Sequence, residues 1–311
     1  MGVILDLDAE TAEVPEDKVR KTTLALEAAR GESWVGADAI ESMLGLIGFC
    51  AQVLVPGGWR TCWTVVALKI GVHNGFAPMN GYWQAEIDWW LRLLQDWNRV
   101  AMMMPKVWLE PEHAAHLAPF TDASRTLGKN GEVGSGGAGA VFGALAMQFD
   151  FTEQEIQWLP ICDLEGLVHV LWLKRLCEQC PEEITRRRFV TWCDNQTFVG
   201  AVNAHKSNAP TLAFLLEMLH ELMARYSFDI KVEFVRSEEN VAADAASRGE
   251  WERFYSFMRD NAGLQKSDIV MLDVQEQVRC EWSSKLRSIR ILQEQMTGKQ
   301  EQGLSTGLSS Q

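Results

Sequence analysis

The sequence predicts an α/β domain built on a mixed five-stranded sheet, preceded by a mainly helical segment, and two features of the chain predict it. From about residue 117 onward, short apolar runs rich in Val, Phe and Ala alternate with glycine clusters and helical stretches, the texture of interleaved sheet and helix. Before that point, apolar residues recur at helical spacing and the breaks between them carry Pro and Gly.

The first segment, residues 1 to 116, reads as helices joined by turns. Pro15 followed by Glu16 and Asp17 starts a helix, because Pro lacks only an N–H that would be unpaired there and the acids suit the positive end of the helix dipole. That helix should run to Arg30 and close at Gly31. A second begins near Ala37 with Met43, Leu44, Ile47 and Ala51 on one face, and Pro56-Gly57-Gly58 stops it. Trp83, Ile87, Trp90, Leu91, Leu94 and Trp97 mark the face of a third, and so large an apolar stripe reads as core rather than as a base-stacking platform.

In the second segment, residues 117 to 249, strands are expected near 118–123, 139–145, 146–151, 188–193 and 229–236, with helices near 163–180, 197–204, 210–226 and 240–247. The glycine-rich run from Gly131 to Gly139 lacks the Gly-Lys-Ser/Thr of a phosphate loop and reads as a flexible hairpin connection. A helical extension should occupy 250–296. The tail from Thr297 to Gln311, rich in Gln, Gly and Ser, has little to bury and should be disordered.

Composition narrows the function. The 311-residue chain is 47% hydrophobic and carries 29 Lys and Arg against 42 Asp and Glu, a net charge of -13. That balance argues against binding nucleic acid by a broad basic face, since such binding neutralises phosphates with Lys and Arg. Any such activity must work through a local site. Seven widely spaced cysteines suit a reduced, intracellular setting, cytoplasmic or nuclear. Cys177-x-x-Cys180 has no second ligand pair at zinc spacing and reads as structural. The longest apolar run, Met43 to Val55, falls short of the ~20 residues that span a bilayer, so no membrane partner is expected.

Four acids sit where an α/β sheet places chemistry, at or just past strand ends and at helix starts. Asp122 lies in Thr-Asp-Ala-Ser within the first strand, and Glu165 in Leu-Glu-Gly at the first turn of the long helix. Asp194 ends the strand Phe189 to Cys193, and Asp244 opens the last helix in Asn-Val-Ala-Ala-Asp. Each has apolar neighbours, which is unusual for a merely solvated acid. Four carboxylates brought together need counter-charge to stay ionised, and hard divalent cations with oxygen ligands, Mg²⁺ or Mn²⁺, supply it.

These four motifs, taken in order through Glu-Asn-Val-Ala-Ala-Asp-Ala-Ala-Ser-Arg, resemble the successive acidic motifs of the RNase H domain in long-terminal-repeat and DIRS-like retroelements, over about residues 117 to 249. Upstream, Val14-Pro15-Glu16-Asp17-Lys18 and the stretch from Met43 to Gly58 resemble the thumb and connection region that ends a reverse transcriptase. The polymerase's Tyr-x-Asp-Asp is not present in the chain, which reads as the C-terminal piece of a longer polyprotein or a domesticated remnant.

The resemblance implies an RNase H-like fold and two-metal cleavage of the RNA strand of an RNA/DNA hybrid. Asp122 would bridge two ions roughly 4 Å apart, Asp244 would help hold the one that activates water, and Glu165 and Asp194 would hold the one on the leaving-group side. Gln196 would contact the minor groove of the hybrid, where the 2'-hydroxyl marks RNA, and Ser124 the same strand. The chain departs from the pattern in two places. Ile161 and Cys162 stand where many relatives carry an Asn that touches the 2'-hydroxyl, and Phe234 where many carry a His that aids turnover. A non-catalytic scaffold or nucleic-acid-binding module of the same fold is the alternative. The polymerase part of the same polyprotein is the further partner implied.

Overall fold

The computed structural model describes residues 2–54, 75–79, 81–97, 99–102, 119–126, 134–207 and 209–306. The stop at Pro56-Gly57-Gly58, the boundary at 116/117 and Gly131, the first glycine of the 131–139 run, lie outside the described residues. The chain divides into two compact units. One comprises Met1–Lys106, Ile184–Arg187 and His220–Asp229, and the other Val107–Glu183, Arg188–Leu219 and Ile230–Gln311.

Among the described residues, three helices lie wholly within the first unit: α1 (Glu16–Arg30), α2 (Ala37–Ala51) and α3 (Gly81–Asp96). Pro15 takes the N-cap position just outside α1, with Glu16 and Asp17 in the first turn. Leu26, Ile40, Met43, Ile47, Trp83, Ile87, Trp89 and Trp90 are among the buried residues of one apolar core, so the tryptophan stripe of α3 is packing. The rings of Trp89 and Trp90 meet edge to face at 5.0 Å. Five three-residue strands accompany the helices. β1 (Ile4–Asp6), β2 (Thr11–Glu13) and β5 (Val100–Met102) form one antiparallel sheet, while β3 (Trp34–Gly36) and β4 (Phe76–Pro78) form a pair. Runs this short carry no readable period-two pattern, and the sequence reading did not include them.

The second unit is a mixed α/β structure whose sheet has six strands in the order β10-β9-β6-β7-β8-β11. These are β6 (Phe120–Thr126), β7 (Ser135–Phe142), β8 (Leu145–Asp150), β9 (Arg188–Cys193), β10 (Asp229–Phe234) and β11 (Val270–Met271). β6 pairs antiparallel with β7 and parallel with β9, and β7 pairs antiparallel with β8. The expected count was five. The sixth strand, β11, is two residues that pair parallel to the edge of β8, with no apolar alternation to announce them.

Helices α4 (Glu153–Trp158), α5 (Ile161–Gln179), α6 (Pro181–Ile184), α7 (Gln196–Asn203), α8 (Pro210–Tyr226), α9 (Val241–Ser247), α10 (Trp251–Ala262) and α11 (Glu276–Thr306) complete the chain. α5 is buried without a break from Asp163 to Leu173 and packs on β6 and β7, as a helix covered on several sides should be. α9 packs on β6, β7 and β8, with Phe120, Val141, Ala242, Ala243, Ala246 and Phe254 in the apolar cluster there. Where composition suggested a disordered tail from 297, the backbone is helical as far as Thr306. The Gln, Glu and Lys of that stretch favour helix, which outweighs its two glycines.

The glycine run is a second difference. Gly136, Gly137 and Gly139 lie within β7, paired with Arg125, Ser124 and Asp122 of β6. A Cβ on Gly139 would overlap the Ala243 carbonyl oxygen, and one on Gly137 the Ser247 carbonyl oxygen. The glycines therefore let the backbone of α9 lie directly on the sheet, a close approach that any side chain would prevent.

Candidate metal centre

Asp122 stands in β6, its Cα registered opposite Gly139. The close seat of α9 on β7 brings Ser247 to it, and the Ser247 hydroxyl donates to Asp122 Oδ2. Neighbouring Thr121 pairs in register with Cys193, so β6 and β9 run side by side and Asp194 follows directly where β9 ends. Glu165 comes from α5, in its second turn rather than the first because the helix starts at Ile161. Asp244 comes from the first turn of α9.

The charges of Asp194 and Asp244 act on Asp122, and those of Asp122 and Asp194 act on Glu165. Burial pushes the Asp122 carboxyl up to about 7, the Ser247 hydrogen bond opposes that, and the charges of Asp194 and Asp244 add to the rise. Burial likewise pushes Glu165 well above the carboxylate range, with Asp122 and Asp194 adding to it, although the backbone N–H of Ala123 opposes the rise. Ligand atoms of Glu165, Cys193 and Asp194 all lie within 4.8 Å of one another. Glu165 Oε2 and Asp194 Oδ1 are both buried with no hydrogen-bond partner. Buried carboxylate oxygens without partners are costly, and a bound cation or a proton would each relieve that cost. The donor set is rich in carboxylate oxygen, so it fits Mg²⁺ or Mn²⁺.

The other partners of the acids are specific. Ser237 Oγ donates to Asp194 Oδ2 at 2.8 Å. Arg248 Nε and Arg253 Nη1 donate to the two oxygens of Asp244 at 2.6 and 2.7 Å. Asn240, the residue before α9, sends its amide to the Thr121 carbonyl at 2.9 Å, tying the helix to the strand beside Asp122.

The sequence reading missed Ser237, Ser247, Arg253, Cys193 and Asn240 as parts of this neighbourhood. Arg248 carried a signal, being four residues after Asp244 on one helix face, whereas Arg253 and Ser237 reach in across turns.

The two substrate-contact candidates differ. Gln196 is exposed at the first position of α7, two residues past Asp194. Ser124 is engaged within the fold, its hydroxyl donating to the Ser247 carbonyl at 2.8 Å and accepting from the Gly137 N–H at 3.1 Å. Of the basic run before β9, Arg186 pairs with Glu10 of its own unit. His205, on the loop after α7, is half-buried, and burial lowers it to about 4. No helix among the described residues is long and apolar enough to cross a membrane.

No protein-family profile matches this chain, and no curated protein sequence does. Among solved structures the chain is similar to RNase H1 from the halophilic archaeon Halobacterium salinarum NRC-1, at 13% identity and a TM-score of 0.27, covering 43% of this chain and 96% of that one.

Proposed function

We propose that the second unit is a divalent-metal-dependent nuclease of RNase H type, cutting the RNA strand of an RNA/DNA hybrid, and that it derives from a retroelement reverse transcriptase. The observation that supports this reading is the closeness of the Glu165 and Asp194 ligand oxygens, one buried oxygen of each lacking a partner, with the charge of Asp194 acting on both Glu165 and Asp122 and that of Asp244 on Asp122. The order of the four motifs along the sequence selects RNase H chemistry among metal nucleases.

Asp122, Glu165, Asp194 and Asp244 would hold two Mg²⁺ or Mn²⁺ ions. When bound, these supply the charge that makes water nucleophilic and that stabilises the oxygens of an in-line displacement at phosphorus. The chain's own residues fix the geometry. Ser247 orients Asp122, Ser237 orients Asp194, and Arg248 with Arg253 hold Asp244 from two sides. Exposed Gln196, at the start of α7, would contact the minor groove of the hybrid, the contact that tells RNA from DNA.

A scaffold without catalysis is the second reading. The same two arginines favour it, because they neutralise Asp244 from within the chain, and the net charge of -13 weakens the hold on phosphates.

The test is a labelled hybrid at low salt with Mg²⁺ or Mn²⁺, beside a metal-free control and Asp194→Asn, which keeps the shape and removes the anionic ligand. Metal-dependent cutting of the RNA strand, lost in the variant, is expected. No cutting with either metal leaves the scaffold, and cutting that survives the variant places the chemistry elsewhere. The retroelement origin is tested separately, by a Tyr-x-Asp-Asp polymerase motif encoded just upstream of Met1.

A further inference from the structure

Cys193 is the last residue of β9, fully buried, and directly precedes Asp194. Its sulfur shares a space no wider than 4.8 Å with ligand oxygens of Glu165 and Asp194. Glu165 is only 4% exposed, and its Oε2 has no hydrogen-bond partner, nor does Asp194 Oδ1. Cys193 makes no disulfide. A thiol is a poor ligand for Mg²⁺, which takes oxygen, whereas thiolate with carboxylate suits Zn²⁺ and Cd²⁺.

From this juxtaposition we infer that Glu165, Cys193 and Asp194 form a seat for a thiophilic divalent cation of the Zn²⁺ class, distinct in donor set from the all-oxygen sites that Mg²⁺ or Mn²⁺ would use. Zinc bonds of ~2.3 Å to sulfur and ~2.0–2.2 Å to oxygen place donors under about 4 Å apart, so binding need draw these three groups together by no more than about 1 Å. The thiol proton passes to solvent as the metal–sulfur bond forms, and no redox change is involved. A fourth position stays open to water. On the reading of the centre as a nuclease, an ion held there occupies two of the carboxylates that hydrolysis needs, so Zn²⁺ blocks Mg²⁺-dependent cutting and Cys193 sets the sensitivity.

The experiment titrates the full chain, reduced and metal-free, with Cd²⁺ alone and follows the ultraviolet sulfur-to-cadmium charge-transfer band. One band saturating near one ion per chain is expected. It should vanish in Cys193→Ser and persist in the Cys177→Ser/Cys180→Ser double variant. Glu165→Gln, which keeps the thiol, should weaken Cd²⁺ binding by about tenfold or more, the scale on which metal sites lose affinity when a supporting group is removed. A band that survives in Cys193→Ser overturns the assignment, as does a wild-type chain without one. Should Cys193→Ser fail to fold, judged by circular dichroism, Glu165→Gln decides in its place, and unchanged Cd²⁺ affinity in that variant overturns the seat. Hybrid cutting with Mg²⁺ and no Cd²⁺ band removes the thiol seat and keeps the nuclease. A Cd²⁺ band without cutting keeps the seat and removes the nuclease.

Discussion

Thr121 Oγ1 stands 2.9 Å from His169 Nδ1, one residue before the acid of β6 and one turn after the acid of α5. The other ring nitrogen of His169 is 3.0 Å from Thr191 Oγ1 in β9. One fully buried imidazole thus joins the two parallel strands that carry Asp122 and lead into Asp194. Burial holds it at about 3, so it is neutral at any working pH and offers one donor and one acceptor to the two hydroxyls. His169→Leu keeps the volume roughly and leaves both hydroxyls without their partner. At ~1–3 kcal/mol for each buried group left unpaired, a loss of about 2–5 kcal/mol is expected from urea unfolding. A loss under about 1 kcal/mol would mean that the two threonines find other partners and the clamp is unimportant.

Asp122 gives the folded chain a pH dependence of definite sign. Its carboxyl lies at about 7 in the fold against an ordinary 3.8. Between those values the folded state holds a proton that the unfolded state has released, so this group's contribution is full below about 3.8 and is lost as pH rises through about 7. His169 acts in the opposite sense, since its lowered value costs stability as pH falls from about 6.5 to about 3. Wild type against Asp122→Asn, which share His169, therefore cancels the histidine and reads Asp122 together with its charge effect on Glu165. The Tm of wild type relative to the variant should fall between about pH 4 and pH 8. Added Mg²⁺ should raise the wild-type Tm more at pH 8 than at pH 5, because bound cation favours the ionised carboxylate. Equal Mg²⁺ shifts at both pH values would detach Asp122 from the metal.

What the sequence made legible is what repeats at a fixed spacing. The 17 residues of α8 and the 6 of β9 stand where apolar periodicity put them. The acids were legible because each interrupts an apolar stretch. The partners of those acids were not, because Arg253 and Ser237 reach them by chain reversal rather than by spacing. Cys193 went unread as a donor for a different reason. In an extended strand, successive side chains face opposite ways, which sets Cys193 and Asp194 apart, but β9 ends at Cys193 and the turn beyond it brings both to one place. The glycines of β7 looked like a loop because their reason for being small lies about a hundred residues away, in the backbone of α9.

Arg248 and Arg253 should matter more to metal than to stability. Both guanidiniums are about half exposed, and exposed ion pairs contribute about 0–1 kcal/mol. Each also competes with a cation for the Asp244 carboxylate. Arg253→Ala is therefore expected to change unfolding free energy by under about 1 kcal/mol while tightening Mg²⁺ binding, measured by calorimetric titration. Unchanged or weaker Mg²⁺ binding would show that the arginine supports the metal form of Asp244 rather than opposing it.

Gly139→Ala is the most economical test of how the centre is assembled, because it alters no polar group. The added methyl would overlap the Ala243 carbonyl and crowd the Ser247 N–H, both backbone groups of α9 that cannot rotate away. The helix must then lift from β7, carrying Asp244 and the Ser247 hydroxyl off Asp122. Overpacking of this kind costs about 1–3 kcal/mol. Displacement of a catalytic group by about 1 Å costs roughly a hundredfold in rate. The expected result is a folded chain, somewhat less stable, with Mg²⁺ binding and hybrid cutting both sharply reduced. Gly143→Ala serves as the control: a Cβ there meets open space, and although its positive φ of 56° brings some strain, that strain falls in the turn between β7 and β8, away from the acids. Should Gly139→Ala bind metal and cut as well as wild type, the contact between α9 and β7 would not be what sets Asp244 against Asp122.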